Sequence, residues 1–450
     1  MELLFDQQKQ WKLPKPTGDR VRSPQFNRVT QTKFLNEYYP SGHKIFDRSW
    51  YQDIAMRDEN GKFLGFYEVN RISVPIQAMT IDVILAHLLG NKIHIVDGTL
   101  KENPALPLYK EYWVTKNMDT AIYEFMKSSL ALGDSALLFY REDGELKWQV
   151  LSFFNQDEFN MEYDKYGKPY RFYKYYDNKV DVYDKQYVTT YTRSTTWDQE
   201  KREAHGFRGL PVVYHKREDG AFWTRSQSNI ENMELMLSRL SEDNRKKFKS
   251  LYHMKTHDPD SVVTQSTGMT DLIITDSDGD FKLVNGAEIS TQFEFEFNTQ
   301  LELIYNSLGI VFPKHKSSGD MPTGSMKMMF YPTERIVMSL IHEYDACIDA
   351  INAIVIQGFV SENTSQTVNI SNGNIRASIR IFTPQDDGSK VDSIVKLKQA
   401  NVISGETASD ESPYASNNEE IRKKREKDAE IENERKLDNT RYINPLFGEE

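Results

Sequence analysis

Two hydrophobic periods alternate along this chain of 450 residues, and each change of period marks an element. Over residues 70–89 the apolar side chains Ile76, Met79, Ile81, Ile84, Leu85 and Leu88 fall at helical spacing. Gly90 is placed to end that helix as a C′ residue. Residues 92–96 predict a short strand, with a turn at Asp97-Gly98. A second helix is predicted over Met118–Leu132, with Ala121, Ile122, Phe125 and Leu132 inward and Gly133 at its end. The period then drops to two. Strands at 136–140 and 146–151 flank Glu142-Asp143-Gly144, a hairpin signal. Strands at 159–163 and 170–176 flank Tyr166-Gly167-Lys168, and 180–183 and 187–192 follow. This reads as an antiparallel meander whose many tyrosines pack across strands. Residues 209–214, with Pro211, read as an edge strand.

The helical period returns at 229–251, where Ile230, Met233, Leu237, Leu240 and Phe248 share one side, and again at 291–308. Between these helices lie short strands at 271–275 and 281–284. After a polar loop at 309–324, a long helix is predicted over 325–357, broken near its start by Pro332. Its roughly 33 residues would span about 50 Å, more than a compact domain needs, so its neighbours are expected to include other copies of the chain. Asn372-Gly373, between 367–370 and 375–382, predicts another hairpin. Residues 389–400 form an amphipathic helix, 405–418 a polar linker, and 418–436 an exposed helix of mixed charge. Residues 1–50 read as an irregular arm with short helices.

Composition narrows the classes. The net charge is −11, where a simple nucleic-acid binder would lean basic; an acidic surface repels phosphates rather than gripping them. The single cysteine, Cys347, excludes an intramolecular disulfide framework and a cysteine zinc cluster, and fits a reducing cytoplasm. Apolar runs fall short of the roughly 20 residues that span a bilayer, and the first residues lack the regions of a signal peptide. The expectation is a soluble, intracellular product with no membrane partner.

Most catalytic motifs fail residue by residue. Gly319 and Gly324 have the spacing of a phosphate loop, but Ser325-Met326 stands where Lys-Ser/Thr is required. His342-Glu343 begins like a zinc-protease helix, but position 346 is alanine, so a surface or interface pair is expected. Asp276, Asp278 and Asp280 resemble a calcium loop with its glycine two positions early, and a turn is the plainer reading. Cys347, mid-helix, reads as a small core residue. Two cationic features keep functional weight. Arg245, Lys246, Lys247 and Lys249 close the helix that leads to the small insert; cations there suit the helix dipole and could also meet DNA or an acidic partner. Lys314, His315, Lys316, Ser317 and Ser318 form a polar, basic loop that would become a collar in a ring of subunits.

The order of elements, with five local stretches, resembles the portal proteins of tailed bacteriophages. The stretches are Asn70-Arg-Ile-Ser-Val-Pro75 followed by Leu88-Leu-Gly90-Asn-Lys92-Ile-His-Ile95; Gly133-Asp-Ser-Ala-Leu-Leu-Phe-Tyr140 with Trp148-Gln-Val-Leu151; Gly209-Leu-Pro211-Val-Val213; Gly324-Ser325-Met326-Lys327; and Ala400-Asn-Val-Ile-Ser404-Gly-Glu406-Thr407. In the last, Asn401 takes a place usually held by glycine.

The resemblance implies an α+β subunit of portal type. Residues 1–226 would be an N-terminal arm and α/β wing, 227–252 and 290–308 the two stem helices, and 253–289 a small clip containing strands. The tunnel loop would be 309–325, the kinked wing helix and β-hairpin 326–386, and a short helical crown 387–450. It implies a closed ring of about twelve subunits at one capsid vertex. Double-stranded DNA would pass through that ring non-specifically, with Lys314–Ser318 facing the channel and Pro332 bending the wing helix. Implied partners are the terminase large subunit, major capsid and scaffold proteins, and head-completion or adaptor proteins. The implied place is the virion, with assembly in the host cytoplasm. No cofactor and no enzymatic activity are implied. Two other readings stand beside it: a metal-dependent nucleic-acid enzyme using Asp276, Asp278 and Asp280, and another virion adaptor or scaffold protein.

Overall fold

The computed structural model describes residues 28–57, 61–98, 105–176, 179–193, 197–247, 250–257, 270–276, 289–311, 323–363, 375–382, 387–400, 402 and 408. In chain order its elements begin with α1 (Arg28–Tyr38), β1 (Ile54–Arg57), β2 (Phe63–Tyr67), α2 (Ile76–Leu89), β3 (His94–Asp97), α3 (Leu106–Thr115) and α4 (Met118–Leu132). A β-rich tract follows: β4 (Asp134–Glu142), β5 (Glu145–Leu151), β6 (Glu158–Tyr163), β7 (Pro169–Tyr176), β8 (Lys179–Tyr183), β9 (Tyr187–Arg193), β10 (Trp197–Ala204) and β11 (Val212–Lys216). Then come α5 (Gln227–Lys247), β12 (Ser250–Thr256), β13 (Thr270–Asp276), α6 (Ile289–Leu308), α7 (Thr323–Glu362), β14 (Ile375–Ser378) and α8 (Asp387–Gln399). The protein is α+β, as its sequence suggests.

The chain divides into two compact units. One comprises Met1–Val311 with Pro332–Phe382, the other Phe312–Tyr331 with Thr383–Glu450. The described part of the second unit is the first turns of α7, the helix α8, and positions 400, 402 and 408.

The core of the first unit forms where α4 lies on the sheet β11-β4-β5. The buried side of α4 includes Ala121, Ile122, Phe125 and Met126, all fully buried. Gly133 stops the helix in the left-handed region at φ +82°, where a side chain would also press on the Gly220 backbone at 3.1 Å. The β4–β5 hairpin turns at Asp143 (φ +54°) and Gly144 (φ +84°). Two positive φ values in succession are what a tight two-residue hairpin loop requires. The meander is a five-stranded sheet, β10-β9-β8-β7-β6, antiparallel throughout. Its tyrosines do pack across strands. Phe159, Phe172 and Tyr183 fill one cluster with Ala136, Leu138 and Val212, while Tyr173, Tyr175, Val180 and Tyr191 fill another. The sheet ends at β10, Trp-Asp-Gln-Glu-Lys-Arg-Glu-Ala, whose charged side chains are exposed.

Several boundaries differ from the sequence expectation. Gly90 sits at φ −63°, not in the left-handed region; its missing side chain makes room for the Phe382 ring, which a Cβ would meet at 2.7 Å. The strand at 375–378 pairs antiparallel with β3, far away in sequence; its predicted partner at 367–370 lies outside the described residues. Residues 250–251, expected at the end of a helix, open β12, which pairs in parallel with β13. The predicted strand at 281–284, the linker at 405–418 apart from residue 408, and the helix at 418–436 lie outside the described residues. α7 runs from Thr323 to Glu362 with Pro332 inside it, helical on both sides. A proline removes one i→i−4 bond, and the flanking turns remain helical. Farther along, Gly358 lets α7 lie close to Leu146 of β5 and Tyr112 of α3, which a Cβ would meet at 2.7 and 3.0 Å.

Candidate channel and docking elements

The two predicted stem helices are α5 and α6, and they pack on each other. The hydroxyls of Ser226, just before α5, and Ser307, at the end of α6, are hydrogen-bonded, so the helices run antiparallel. The inner face of α5 is not wholly apolar. Ile230 and Met233 are buried, but so are Glu234, Ser238 and Glu242, spaced four residues apart. These three take backbone N–H groups from an extended run that belongs to no sheet. Val74 donates to Glu234 Oε1 at 2.8 Å, Ile72 to Ser238 Oγ at 2.8 Å, and Asn70 to Glu242 Oε2 at 3.3 Å.

The spacing explains the fit. Four helical residues rise about 6 Å, and two extended residues about 6.6 Å. Every fourth side chain of α5 therefore meets every second N–H of the run, and the run lies antiparallel to the helix. Glu234 Oε1 is also 2.5 Å from His43 Nδ1, with both side chains buried. A Glu-x-x-x-Ser-x-x-x-Glu stripe inside a helix was the sequence signal for this ladder, which the hydrophobic pattern passes over.

Arg245 is committed within the fold. Its guanidinium lies over the Tyr67 ring, donates to the Tyr67 hydroxyl, and reaches Asn70 Oδ1 at 3.0 Å and the Glu68 carbonyl at 2.9 Å. Lys246 and Lys247 follow it in the last turn of α5. Lys249 lies outside the described residues, as do Lys314, His315, Lys316, Ser317 and Ser318.

The end of α6 is described, and it is fastened. Gly309 adopts φ +62°. Ile310 N–H donates to the Tyr305 carbonyl at 3.0 Å. That is the long bond of a Schellman closure, and it satisfies the Tyr305 carbonyl. The Gly309 carbonyl accepts a 2.6 Å hydrogen bond from the Thr333 hydroxyl, fully buried beside Pro332. The last turn of α6 is thus tied to α7 at the residue after its proline.

A partly buried polar node joins α4, β11 and α7. Ser129 Oγ is 2.7 Å from His215 Nδ1, His215 Nε2 is 3.4 Å from Glu343 Oε1, and Arg217 Nη1 donates to Glu343 Oε2 at 3.0 Å. The His215 ring packs on Tyr344. Burial, helped by the Arg217 charge, pushes His215 down to about 4, and burial raises Glu343 against the pull of Arg217. His215 is therefore neutral, and its 3.4 Å approach to Glu343 is not an ion pair. The order Ser–His–Glu looks like a hydrolytic relay, but Ser129 is fully buried, so no substrate reaches its hydroxyl. The node fastens three elements. Glu343 pairs with β11, not with His342.

Cys347 is buried on α7, and burial pushes its thiol up to about 12. Asp276 closes β13, while Asp278 and Asp280 lie outside the described residues. Among the described residues no group of three His, Cys, Asp or Glu side chains converges to hold a metal. None of the described helices is long and apolar enough to cross a membrane.

Comparison with known proteins decides what these elements belong to. The family model described as phage portal protein, SPP1 Gp6-like, matches residues 20–434. The chain belongs to that family. It is a bacteriophage portal component, part of the head–tail connector and of the channel for genome packaging. In general terms a portal protein works as an oligomeric ring alongside capsid and terminase proteins, and is a component of the virion. A search of the curated proteins returned no match. α5 and α6 fall where the sequence predicts helices at 229–251 and 291–308, and β12 and β13 lie between them along the chain.

Proposed function

We propose that this portal subunit assembles into a closed ring of about twelve copies at one capsid vertex. Double-stranded DNA passes through it during packaging and ejection, and terminase, capsid, scaffold and head-completion proteins dock on it. The subunit performs no catalysis; ATP hydrolysis belongs to the motor. The observation that carries this is the family match over residues 20–434. The antiparallel stem pair supports it, with a two-stranded insert between its helices that would serve as the clip.

Residues 309–325 would be the tunnel loop, with Lys314 and Lys316 touching phosphates without reading bases. Thr333 and Gly309 would anchor one end of that loop, and the bend expected at Pro332 would redirect the wing helix. The acidic balance fits this role. α6 carries Glu294, Glu296 and Glu302 and no cation, and a basic bore would hold DNA with steep salt dependence.

Electron microscopy with mass photometry on the purified protein tests the reading. The expected result is a closed ring with a central hole. A monomer at high concentration, unchanged by scaffold protein, would overturn it. In assembled heads, replacing Lys314 and Lys316 together by alanine should leave the ring intact and impair packaging or retention of DNA. Normal packaging would remove the loop's role and leave the ring.

A further inference from the structure

The β1–β2 hairpin is anchored at its root and bare beyond it. At the root, Arg71 donates to Asp53 at 2.7 Å, Val69 N–H donates to Asp53 at 3.3 Å, and Arg245 holds Tyr67 and Glu68. Away from the root, Ile54, Met56, Phe63, Leu64 and Phe66 are all exposed, Phe66 by 67%. The register pairs Ala55 with Phe66 and Arg57 with Phe63, so both phenylalanines lie on one face. Their rings meet edge to face at 5.0 Å. A hairpin of two strands alone is at best marginally stable in water. One whose root is held by ion pairs while its aromatic face is open is built to be covered by something else.

A matching surface lies on α6. Phe295, Thr299 and Leu303 recur at four-residue spacing and are all exposed, Phe295 by 75%. Around them stand Glu294, Glu296 and Glu302, with no cation anywhere in the helix. Between β1 and β2 the sequence Arg57-Asp58-Glu59-Asn60-Gly61-Lys62 carries two cations and two carboxylates, so the hairpin is neutral in sum there while α6 is acidic. The two surfaces also lie at one height along the stem. Ser226 meets Ser307, and Arg245 lies about five turns along α5 from Ser226. About five turns back along α6 from Ser307 is its first turn. The hairpin root is thus level with the start of α6, and Phe295 lies within about two turns of that level.

We propose that the β1–β2 hairpin of one subunit docks its Phe63–Phe66 face on α6 of the next copy, covering Phe295 and Leu303. This rests on the ring reading above. A head-to-tail ring requires two unlike, complementary patches on each subunit, and these two are both aromatic, set a neutral rim against an acidic one, and lie within about two turns of one height.

The test uses full-length protein carrying Phe66→Cys or Phe295→Cys, co-assembled and treated with a flexible bis-maleimide. The native Cys347 is buried and its thiol is held protonated, so the wild type gives the background. Mass photometry confirms rings before crosslinking. The expected result is a covalent dimer from the mixture and none from either variant alone. In parallel, Phe63→Ser with Phe66→Ser should raise the concentration at which rings dissociate by about tenfold or more, from the lost apolar burial. Circular dichroism verifies that this variant remains folded. Rings that form, give no dimer in the mixture and resist dilution like the wild type would overturn the docking while leaving the ring. Absence of rings in the wild type would overturn both.

Discussion

Replacing Gly309 by alanine separates the helix-end closure from the packing around it. Gly309 holds φ +62°, and a side chain in the left-handed region costs roughly 1–2 kcal/mol. The new Cβ would also meet Ile336 Cδ1 at 2.1 Å, Ile336 Cγ1 at 3.0 Å and the Pro332 carbonyl at 3.2 Å. The Ile336 tip can swing aside. The Pro332 carbonyl is backbone within α7 and must yield by a few tenths of an ångström, an overpacking cost of about 1–3 kcal/mol. Together these predict a loss of about 2–5 kcal/mol.

Urea denaturation followed by tryptophan fluorescence measures it, at fixed protein concentration because assembly shifts apparent stability. Pairing the change with Ile336→Ala isolates the part of the cost that comes from the Ile336 side chain. If crowding against that side chain contributes, the double variant loses less than the sum of the single losses, and what remains belongs to the left-handed backbone and the Pro332 carbonyl. An unchanged midpoint in Gly309→Ala would refute the claim that the α6 end depends on a left-handed glycine pressed against α7.

Ser238→Ala should leave the Ile72 N–H without its acceptor on α5 and cost about 1–3 kcal/mol; a wild-type urea midpoint would show that the ladder contributes nothing. Stability should also fall as pH drops from about 6.5 to about 4, by up to about 3 kcal/mol, because His215 is neutral when folded and protonates once unfolded. Glu343, whose pKa burial raises, works the other way: its contribution is full below its unfolded value and fades as pH rises, so it offsets part of the loss at the acid end. Denaturation at several pH values checks this, with His215→Gln expected to flatten the dependence over that window.

What the sequence made legible was local. α4 and its glycine stop, the Asp143-Gly144 turn, and the helices α5 and α6 all follow from period and turn chemistry that neighbouring residues supply. What stayed hidden was either atypical or distant. α3 carries Pro107 near its start and packs through Tyr109, Tyr112 and Trp113 rather than along an aliphatic stripe. β10 has hardly an apolar residue to reveal it as a strand. β14 finds its partner in β3, nearly three hundred residues earlier, and such pairing leaves no trace in either segment. The same holds for the candidate site. Arg245 reads as a free cation at a helix end until the fold brings Tyr67 and Asn70 against it. The Glu234–Ser238–Glu242 stripe acquires meaning only when residues 70–74 arrive beside it.

The charged strand β10 has a consequence for a protein that lives among its own copies. Every open strand carries unpaired amides and carbonyls, and is a template on which an identical chain can grow. A subunit that works in an oligomeric ring needs lateral association that closes and then stops. A second backbone approaching β10 must strip water from Glu200, Lys201, Arg202 and Glu203, all exposed, and taking such charges out of water is costly. Fibrous run-on growth from that edge is thereby discouraged, and the chains remain free to meet through surfaces that close.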